Sequence, residues 1–146
     1  MVALSQRELQ LVNDARRAVL ATTAPDGTSR LVPIAFVYVT GIVYSALDEK
    51  PKSVADPREL ARVHDIQANP RVSVLVDEWG EDWAELGWVR LSGSARLIGP
   101  DDEPATEHGD AVRLLRKKYT QYATHALETR PLIRIDIERA RSWFAK

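Results

Sequence analysis

The chain has 146 residues, of which 45% are hydrophobic, so residues 1–146 are predicted to form one globular domain around one core. The 20 Lys and Arg residues nearly balance the 21 Asp and Glu residues, which argues against binding to nucleic acid through bulk positive charge. The absence of cysteine excludes a disulfide framework, a thiolate metal site and a cysteine nucleophile. Neither a signal-peptide pattern nor an apolar run of about 20 residues is present, so a soluble cytoplasmic protein is expected.

A short helix and a hairpin are the first predicted elements. Ser5 and Glu8 have the spacing of a capping box, which predicts a helix start. Residues 18–39 are predicted to form the hairpin, with its turn at Gly27. The second arm, residues 30–39, is apolar at both parities, whereas an antiparallel strand normally exposes one face to water. A partner subunit or a flat ligand is therefore expected to cover the outer face of this arm.

A third strand at residues 42–47 is predicted to lead through a basic loop into a second helix. Asp56 and Pro57 would supply the N-cap and the first helical residue. The helix is expected to end near residues 69–70, because the residue before a proline disfavours helical backbone.

Four cations lie at this strand-to-helix junction. Lys50 and Lys52 lie in the loop, and Arg58 and Arg62, four residues apart, are predicted to share one flank of the helix. Lysine and arginine stay charged at neutral pH, and arginine binds phosphate through two N–H groups. The pattern leaves two interpretations open: solvated surface charges, some of them in ion pairs, or a site that holds a negatively charged ligand.

The remaining elements are predicted to be strands at residues 71–77, 88–98 and 132–138, with a helix at residues 101–127 before the last strand. Gly93, in the middle of its strand, predicts a bend or bulge of the kind that helps to close a barrel. Six short strands without regular βα alternation indicate a mainly β protein, a small antiparallel barrel flanked by helices.

Motifs for metal binding and hydrolysis are absent from the sequence. His64, His108 and His125 are far apart and lack carboxylates at ligand spacing, so no metal site is predicted. No nucleophile elbow, phosphate-binding P-loop or GxGxxG occurs. The acidic segment around Trp79 and Trp83 has two interpretations: a lid that stacks on a cofactor or substrate, or anchors in the core or at a subunit interface.

Several segments follow one another in a recognisable order: "VLATTAPDGTSRLVPIAFVY", a strand ending in a basic loop, "LARVHDIQANPRVSVLV" and "VRLSGSARLI". This succession resembles the pyridoxamine 5'-phosphate oxidase-like superfamily of FMN-binding split β-barrels. The inserted "LDEKPKS" and the segment "DEWGEDW" are similar to its group B branch, found mainly in actinobacteria, which uses the deazaflavin coenzyme F-420.

The resemblance implies a six-stranded antiparallel split β-barrel that forms a homodimer with two cofactors in grooves between the barrels. It implies that one strand segment lines the cofactor ring and that the basic junction holds its phosphate. The implied cofactor-binding residues are Leu31, Val32, Pro33, Ile34, Ser45, Lys50, Lys52 and Arg62, with Trp79 on the acidic segment as a further contact. Which of the two lysines contacts the phosphate is left open.

The implied activity is an oxidoreductase reaction that transfers a hydride between F-420 and a small organic acceptor stacked over it. No catalytic residue is assigned, although Tyr38, Tyr44 or solvent could deliver a proton. Two alternatives stay open: an FMN-binding oxidase of pyridoxamine phosphate or flavin reductase, and a non-catalytic module that carries the cofactor.

Overall fold

The computed structural model describes residues 2–47 and 60–146. Three α-helices and seven β-strands are present in these ranges. They are α1 Gln6–Asp14, β1 Ala18–Thr23, β2 Ser29–Ile34, β3 Val37–Val39, β4 Ile42–Ala46, α2 Ala61–Ala68, β5 Arg71–Glu78, β6 Gly87–Ile98, α3 Glu107–Lys118 and β7 Leu132–Phe144. Short 3-10 helices at Trp83–Glu85 and Thr120–Thr124 complete the list.

The helix boundaries confirm the first predicted start and correct the second. The Ser5 hydroxyl accepts from the backbone N–H of Glu8, and the Glu8 carboxylate accepts from the backbone N–H of Ser5, which is the predicted capping box. Leu60 has extended backbone, so α2 begins at Ala61. The prediction of one continuous helix carrying Arg58 and Arg62 is therefore wrong; residues 48–59, which include the predicted N-cap, lie outside the described residues.

The structure has one antiparallel sheet of seven strands, whereas six strands were predicted. The strand order is β2-β1-β5-β6-β7-β4-β3. The difference arises in the predicted arm at residues 30–39, which breaks at Ala35 and Phe36. β2 pairs with β1, whereas β3 pairs with β4 at the opposite edge of the sheet. From Ile34 to Val37 the chain spans at most about 11 Å, so the sheet must curl until its two edges meet there.

Side chains from distant elements bind the backbone of this two-residue link, which we call the corner. The Ser45 hydroxyl donates to the carbonyl oxygen of Ala35 at 2.8 Å. The N–H of Phe36 donates to the Tyr119 hydroxyl at 3.0 Å, and the Lys118 amine donates to the Phe36 carbonyl oxygen at 3.0 Å. Because Phe36 is fully buried, these contacts satisfy polar groups that neither edge strand pairs.

Two hydrophobic clusters lie on opposite faces of the sheet. The interior cluster fills the curled sheet and includes Leu20, Phe36, Val43, Val74, Leu91 and Ile135. The second cluster lies between the outer face of β4 and β7 and the buried side of α3, and includes Tyr44, Leu132, Val112 and Leu115. Helix α3 therefore covers one part of the outer face of the sheet.

Gly93 lies at a bulge between β6 and β7, as predicted. The pairing shifts register between Ser92 and Gly93. A Cβ atom at position 93 would lie 1.9 Å from the carbonyl oxygen of Asp136, so only glycine allows the strands to approach this closely. Beyond the bulge β7 continues to Phe144, well past the predicted end at residue 138.

The predicted helix at residues 101–127 is too long at both ends. Helix α3 covers Glu107–Lys118, and a separate 3-10 helix follows at Thr120–Thr124. Tyr119, whose hydroxyl accepts the hydrogen bond from the Phe36 N–H, directly follows α3. The end of this helix therefore positions a side chain that binds the corner.

The Tyr119→Phe variant is expected to be less stable than the wild type by about 1 to 3 kcal/mol, because the buried N–H of Phe36 loses its acceptor. The measurement is the free energy of unfolding in urea. Tyr38→Phe is the matched control, since the half-buried Tyr38 hydroxyl forms no hydrogen bond with the described residues. Equal stability of the two variants would contradict the role assigned to the corner.

Candidate functional site

The outer face of β2 is apolar and exposed in the single chain. Leu31 is 70% exposed and Pro33 is also exposed, while Val32 is half-buried and Ile34 is 6% exposed in the core. The predicted four-residue segment is therefore divided between two faces. Only Leu31 and Pro33 present side chains to a molecule outside the sheet, and Ile34 belongs to the interior.

Neighbouring strands extend this surface. Leu31 lies opposite Ala21 and Pro33 lies opposite Val19 across β1 and β2. Leu75 on β5, 39% exposed, lies opposite Val19 on the other side. We call these five residues the apolar patch. An exposed apolar surface across three strands is typical of a binding surface rather than of a solvated sheet face.

The cross-strand rows of residues that contain the apolar patch continue across the sheet toward β7. There their side chains become polar and positively charged. Beyond Leu75 the row continues with Arg90 on β6 and Arg141 on β7. Beyond Ala21 the neighbouring row continues with Ser73, Ser92 and Arg139. The outer face thus passes from apolar to cationic across five strands.

A buried charge lies at the end of the sheet where α2 packs. The side chain of Asp65 on α2 is 1% exposed. It accepts a hydrogen bond from the Thr22 hydroxyl at 2.8 Å and pairs with the Arg30 guanidinium at 3.1 Å. This arrangement connects α2 with the start of β2, since a buried carboxylate requires such partners.

Arg62, a predicted phosphate ligand, lies one turn before Asp65 on α2 and is half-buried. Residues three apart lie on the same helix face, so Arg62 and Arg30 are brought to one end of the sheet. Sequence reasoning missed Arg30. The signal was its parity: Arg30 is two residues before Val32 and therefore lies on the same side of β2, the side that packs against the interior.

The other predicted phosphate ligands are only partly described. Ser45 is 1% exposed, and its hydroxyl proton is engaged by the carbonyl oxygen of Ala35 at the corner. Lys50 and Lys52 lie outside the described residues. The phosphate-binding role of this set therefore stays a prediction, with Ser45 and Arg62 as its described members.

Two tryptophans project from the β5–β6 hairpin. Trp79 is 74% exposed and Trp83 is 72% exposed, so neither is an anchor of the core of this chain. Trp79 lines a cavity of about 660 Å³ together with residues of α1 and with Phe144. The other predicted cofactor-binding residues within residues 2–47 and 60–146 do not line this cavity. A lid or a subunit contact remains as the interpretation of this hairpin.

A larger cavity of about 850 Å³ lies between the N-terminal segment, the β3–β4 turn and α3. Its walls are mainly apolar and include Leu4, Val39 and Leu114, with Tyr38 and Lys118 among the polar residues. Among the predicted cofactor-binding residues that the structure describes, none lines it. The sequence contained no signal for this cavity, because it depends on how α1 and α3 pack against one hairpin.

Tyr44, considered as a proton donor, is held in a structural network. Its hydroxyl donates to the carboxylate of Glu107, which lies 3.2 Å from the guanidinium of Arg134. Burial, and next the hydrogen bond with Glu107, raise the pKa of Tyr44 well above its usual range. Tyr44 therefore keeps its proton at neutral pH and connects β4 with α3.

Within residues 2–47 and 60–146, no cluster of three histidine or acidic side chains is arranged to hold a metal ion. His108 is buried, and its Nε2 atom lies 2.6 Å from the carbonyl oxygen of Arg130, which identifies it as a packing residue. In the same ranges no helix is long and apolar enough to span a bilayer.

The stability of the protein is expected to rise between about pH 8 and pH 10 through Lys118. Burial, and next the charge of Arg16, lower the pKa of this amine from 10.5 to about 8. Between these values the unfolded chain binds the proton more strongly than the folded chain, so deprotonation favours folding as pH rises. The measurement is the free energy of unfolding of the wild type minus that of Lys118→Met, followed across this range. A pH-independent difference would contradict the lowered pKa.

Comparison with known proteins identifies the relatives of this chain. The family model described as pyridoxamine 5'-phosphate oxidase matches residues 4–144. No curated protein sequence matches the chain.

Three solved structures illustrate the likeness of fold. A conserved hypothetical protein from Mycobacterium tuberculosis has a TM-score of 0.74 at 22% identity, over 99% of this chain and 88% of that one. A structure named F-420 reductase has a TM-score of 0.69 at 18% identity, over 94% and 98% of the two chains. A FAD-binding protein from Mesorhizobium loti has a TM-score of 0.59 at 26% identity, over 95% and 94%.

Proposed function

Because the chain belongs to the pyridoxamine 5'-phosphate oxidase family, we propose that it binds a flavin-type cofactor and acts as an F-420-dependent oxidoreductase. The observation that carries this proposal is the exposed outer face of β2, with Leu31 and Pro33 next to other apolar side chains. A flat aromatic ring system buries such a surface effectively. The resemblance of the inserted "LDEKPKS" to the deazaflavin branch favours F-420 as the cofactor.

Different residues of this chain would bind the ring and the phosphate of the cofactor. Leu31 and Pro33 would lie against one face of the ring, whereas Arg62 and the loop lysines, Lys50 and Lys52, would bind the phosphate. Arginine provides the bidentate contact and lysine the flexible charge. Arg30, held by the buried Asp65, adds a second guanidinium at the end of the sheet near Arg62.

A second copy of the chain would cover the rest of the apolar patch, so the proposed assembly is a homodimer. Leu31, Pro33 and Leu75 are exposed in one chain, and the two patch residues on β1 between them are half-buried. A partner that buries them would also exclude water from the ring, which strengthens every polar contact in the site. The exposed Trp79 would contribute as a lid or as a contact with the second copy.

The proposed reaction needs little acid–base chemistry from the protein. When bound, a deazaflavin supplies the hydride-transfer chemistry. The chain orients the ring through β2, binds the phosphate through its cations and leaves space on the outer side for a small organic acceptor. Tyr44 is committed to Glu107, so a proton that the acceptor requires would come from solvent or from another group.

FMN is the second candidate cofactor. The FAD-binding protein from Mesorhizobium loti, at 26% identity, supports a flavin in place of a deazaflavin. Both cofactors share a flat ring and a phosphate, so the apolar patch and the cations suit either one. The two hypotheses predict opposite orders of affinity for F-420 and FMN, so measuring both affinities distinguishes them.

Titration of the apo-protein with F-420, and separately with FMN, tests the cofactor. Tryptophan fluorescence is the measured signal, because Trp79 and Trp83 are exposed and open to quenching. The expected result is a Kd of about 1 μM or lower for F-420, with FMN at least about tenfold weaker, a difference of about 1.4 kcal/mol. The reverse order would assign the protein to the flavin branch, and binding of neither would reject the proposed function.

The double variant Lys50→Ala and Lys52→Ala tests the phosphate contact. Loss of two charge-assisted contacts is expected to weaken F-420 binding by about 2 to 5 kcal/mol while the protein still folds. The control is Lys117→Ala, which removes an exposed lysine from α3. Unchanged affinity of the double variant would show that the loop does not bind the phosphate.

A further inference from the structure

Four arginines lie close together on the outer face of β5, β6 and β7. They are Arg71, Arg90, Arg139 and Arg141, all of them exposed, and we call them the arginine cluster. Such a concentration of one charge is unexpected in a chain whose net charge is -1.

The charges of the cluster are not balanced by carboxylates in the part of the chain that the structure describes. Arg90 and Arg141 lie directly opposite each other on paired strands, an arrangement that destabilises a sheet when the charges are alike. None of the four guanidinium groups forms an ion pair with a described acidic residue. The guanidinium carbon of Arg90 lies 5.4 Å from the centroid of the Trp88 ring.

The bulge at Gly93 determines which residue of β7 lies opposite Ser92 on the outer face of the sheet. Ile137 pairs with Gly93, and the next pair is Arg139 with Ser92, so Glu138 is the extra residue of the bulge. Regular pairing would place the carboxylate of Glu138 opposite Ser92. The bulge places the Arg139 guanidinium there instead, and bulges commonly redirect a side chain toward a functional site.

Hydroxyl groups and two small cavities accompany the guanidinium groups. The hydroxyls of Ser73 and Ser92 lie 3.0 Å apart. A cavity of about 250 Å³ is lined by both serines and by Arg71 and Arg139, and one of about 180 Å³ by Arg90, Arg139 and Arg141. Ser92 and Arg139 line both cavities. Donors therefore converge on adjoining spaces that suit a small anion.

We propose that the arginine cluster is a binding site for the phosphate or carboxylate groups of a small multivalent anion. Guanidinium groups bind both kinds of oxyanion through paired N–H donors, and the serine hydroxyls supply further donors. The two cavities have room for a compact anion. Nucleic acid is disfavoured as the ligand, because the chain as a whole carries no positive excess. The proposal does not rest on the proposed cofactor function, although the larger cavity also borders Ala21 of the apolar patch.

The experiment is isothermal titration calorimetry of the full chain, without cofactor, at low ionic strength. Inorganic pyrophosphate is the phosphate probe and tricarballylate is the carboxylate probe, titrated separately. The expected result is saturable binding of at least one probe with one site per chain. Arg139→Gln, which changes the residue shared by both cavities, is expected to weaken it about tenfold or more.

Arg96→Gln is the matched control, because Arg96 is an exposed arginine on β6 outside both cavities. Its affinity for the probe should equal that of the wild type. Absence of saturable binding, or equal weakening in both variants, would overturn the proposal. Sedimentation equilibrium supplies the second readout: if Arg139→Gln dissociates an oligomer of the wild type, the cluster is a subunit contact and the anion site is rejected.

Discussion

The closure of the sheet depends on a link of two residues. Ala35 and Phe36 connect the strands at its opposite edges, and this short connection forces the sheet to curl. The link has no strand partner, so its polar groups would be buried without hydrogen bonds unless other elements supplied them. Ser45, Lys118 and Tyr119 do so, and the interior cluster can then form around the buried Phe36.

Curling also determines what the outer face presents. The interior accommodates one side of each strand, and α3 covers the outer side near β3, β4 and the adjoining part of β7. The rest stays exposed, with the apolar patch across β2, β1 and β5 and the arginine cluster across β5, β6 and β7. One continuous surface thus combines two kinds of binding chemistry, and both arise from residues that alternate with the core.

Local patterns predicted those parts of the structure that depend on neighbouring residues. The capping box at Ser5, the end of α2 near residue 69 and the bulge at Gly93 each follow from a few adjacent side chains. The break at the corner was missed because residues 31–39 form one uninterrupted run of apolar and aromatic residues. Tertiary contacts divide that run. Phe36 packs in the interior, and the hydroxyl of Tyr119, 83 positions away, accepts a hydrogen bond from the Phe36 N–H.

Prediction of the candidate site from the sequence is limited in the same way, because local patterns do not reveal contacts between distant residues. Alternation identified β2 as a strand with two apolar faces, and the structure shows Leu31 and Pro33 as its exposed members. The pairing of Arg30 with Asp65 joins residues from two elements, and the arginine cluster joins three strands through register. Apart from the parity of Arg30, a single sequence contains no direct signal for such cross-strand and cross-element contacts, since each arginine by itself resembles an ordinary surface charge.

The corner also constrains the order in which the chain acquires its structure. Tyr119 donates to the carbonyl oxygen of Arg16 and accepts from Phe36, partners that precede it by 103 and 83 positions. During synthesis, β1 to β4 emerge long before this side chain does, so the edges of the sheet cannot be fastened until α3 has left the ribosome. Contacts of such long sequence separation slow folding, and closure of the barrel is therefore a late event that awaits the C-terminal third of the chain.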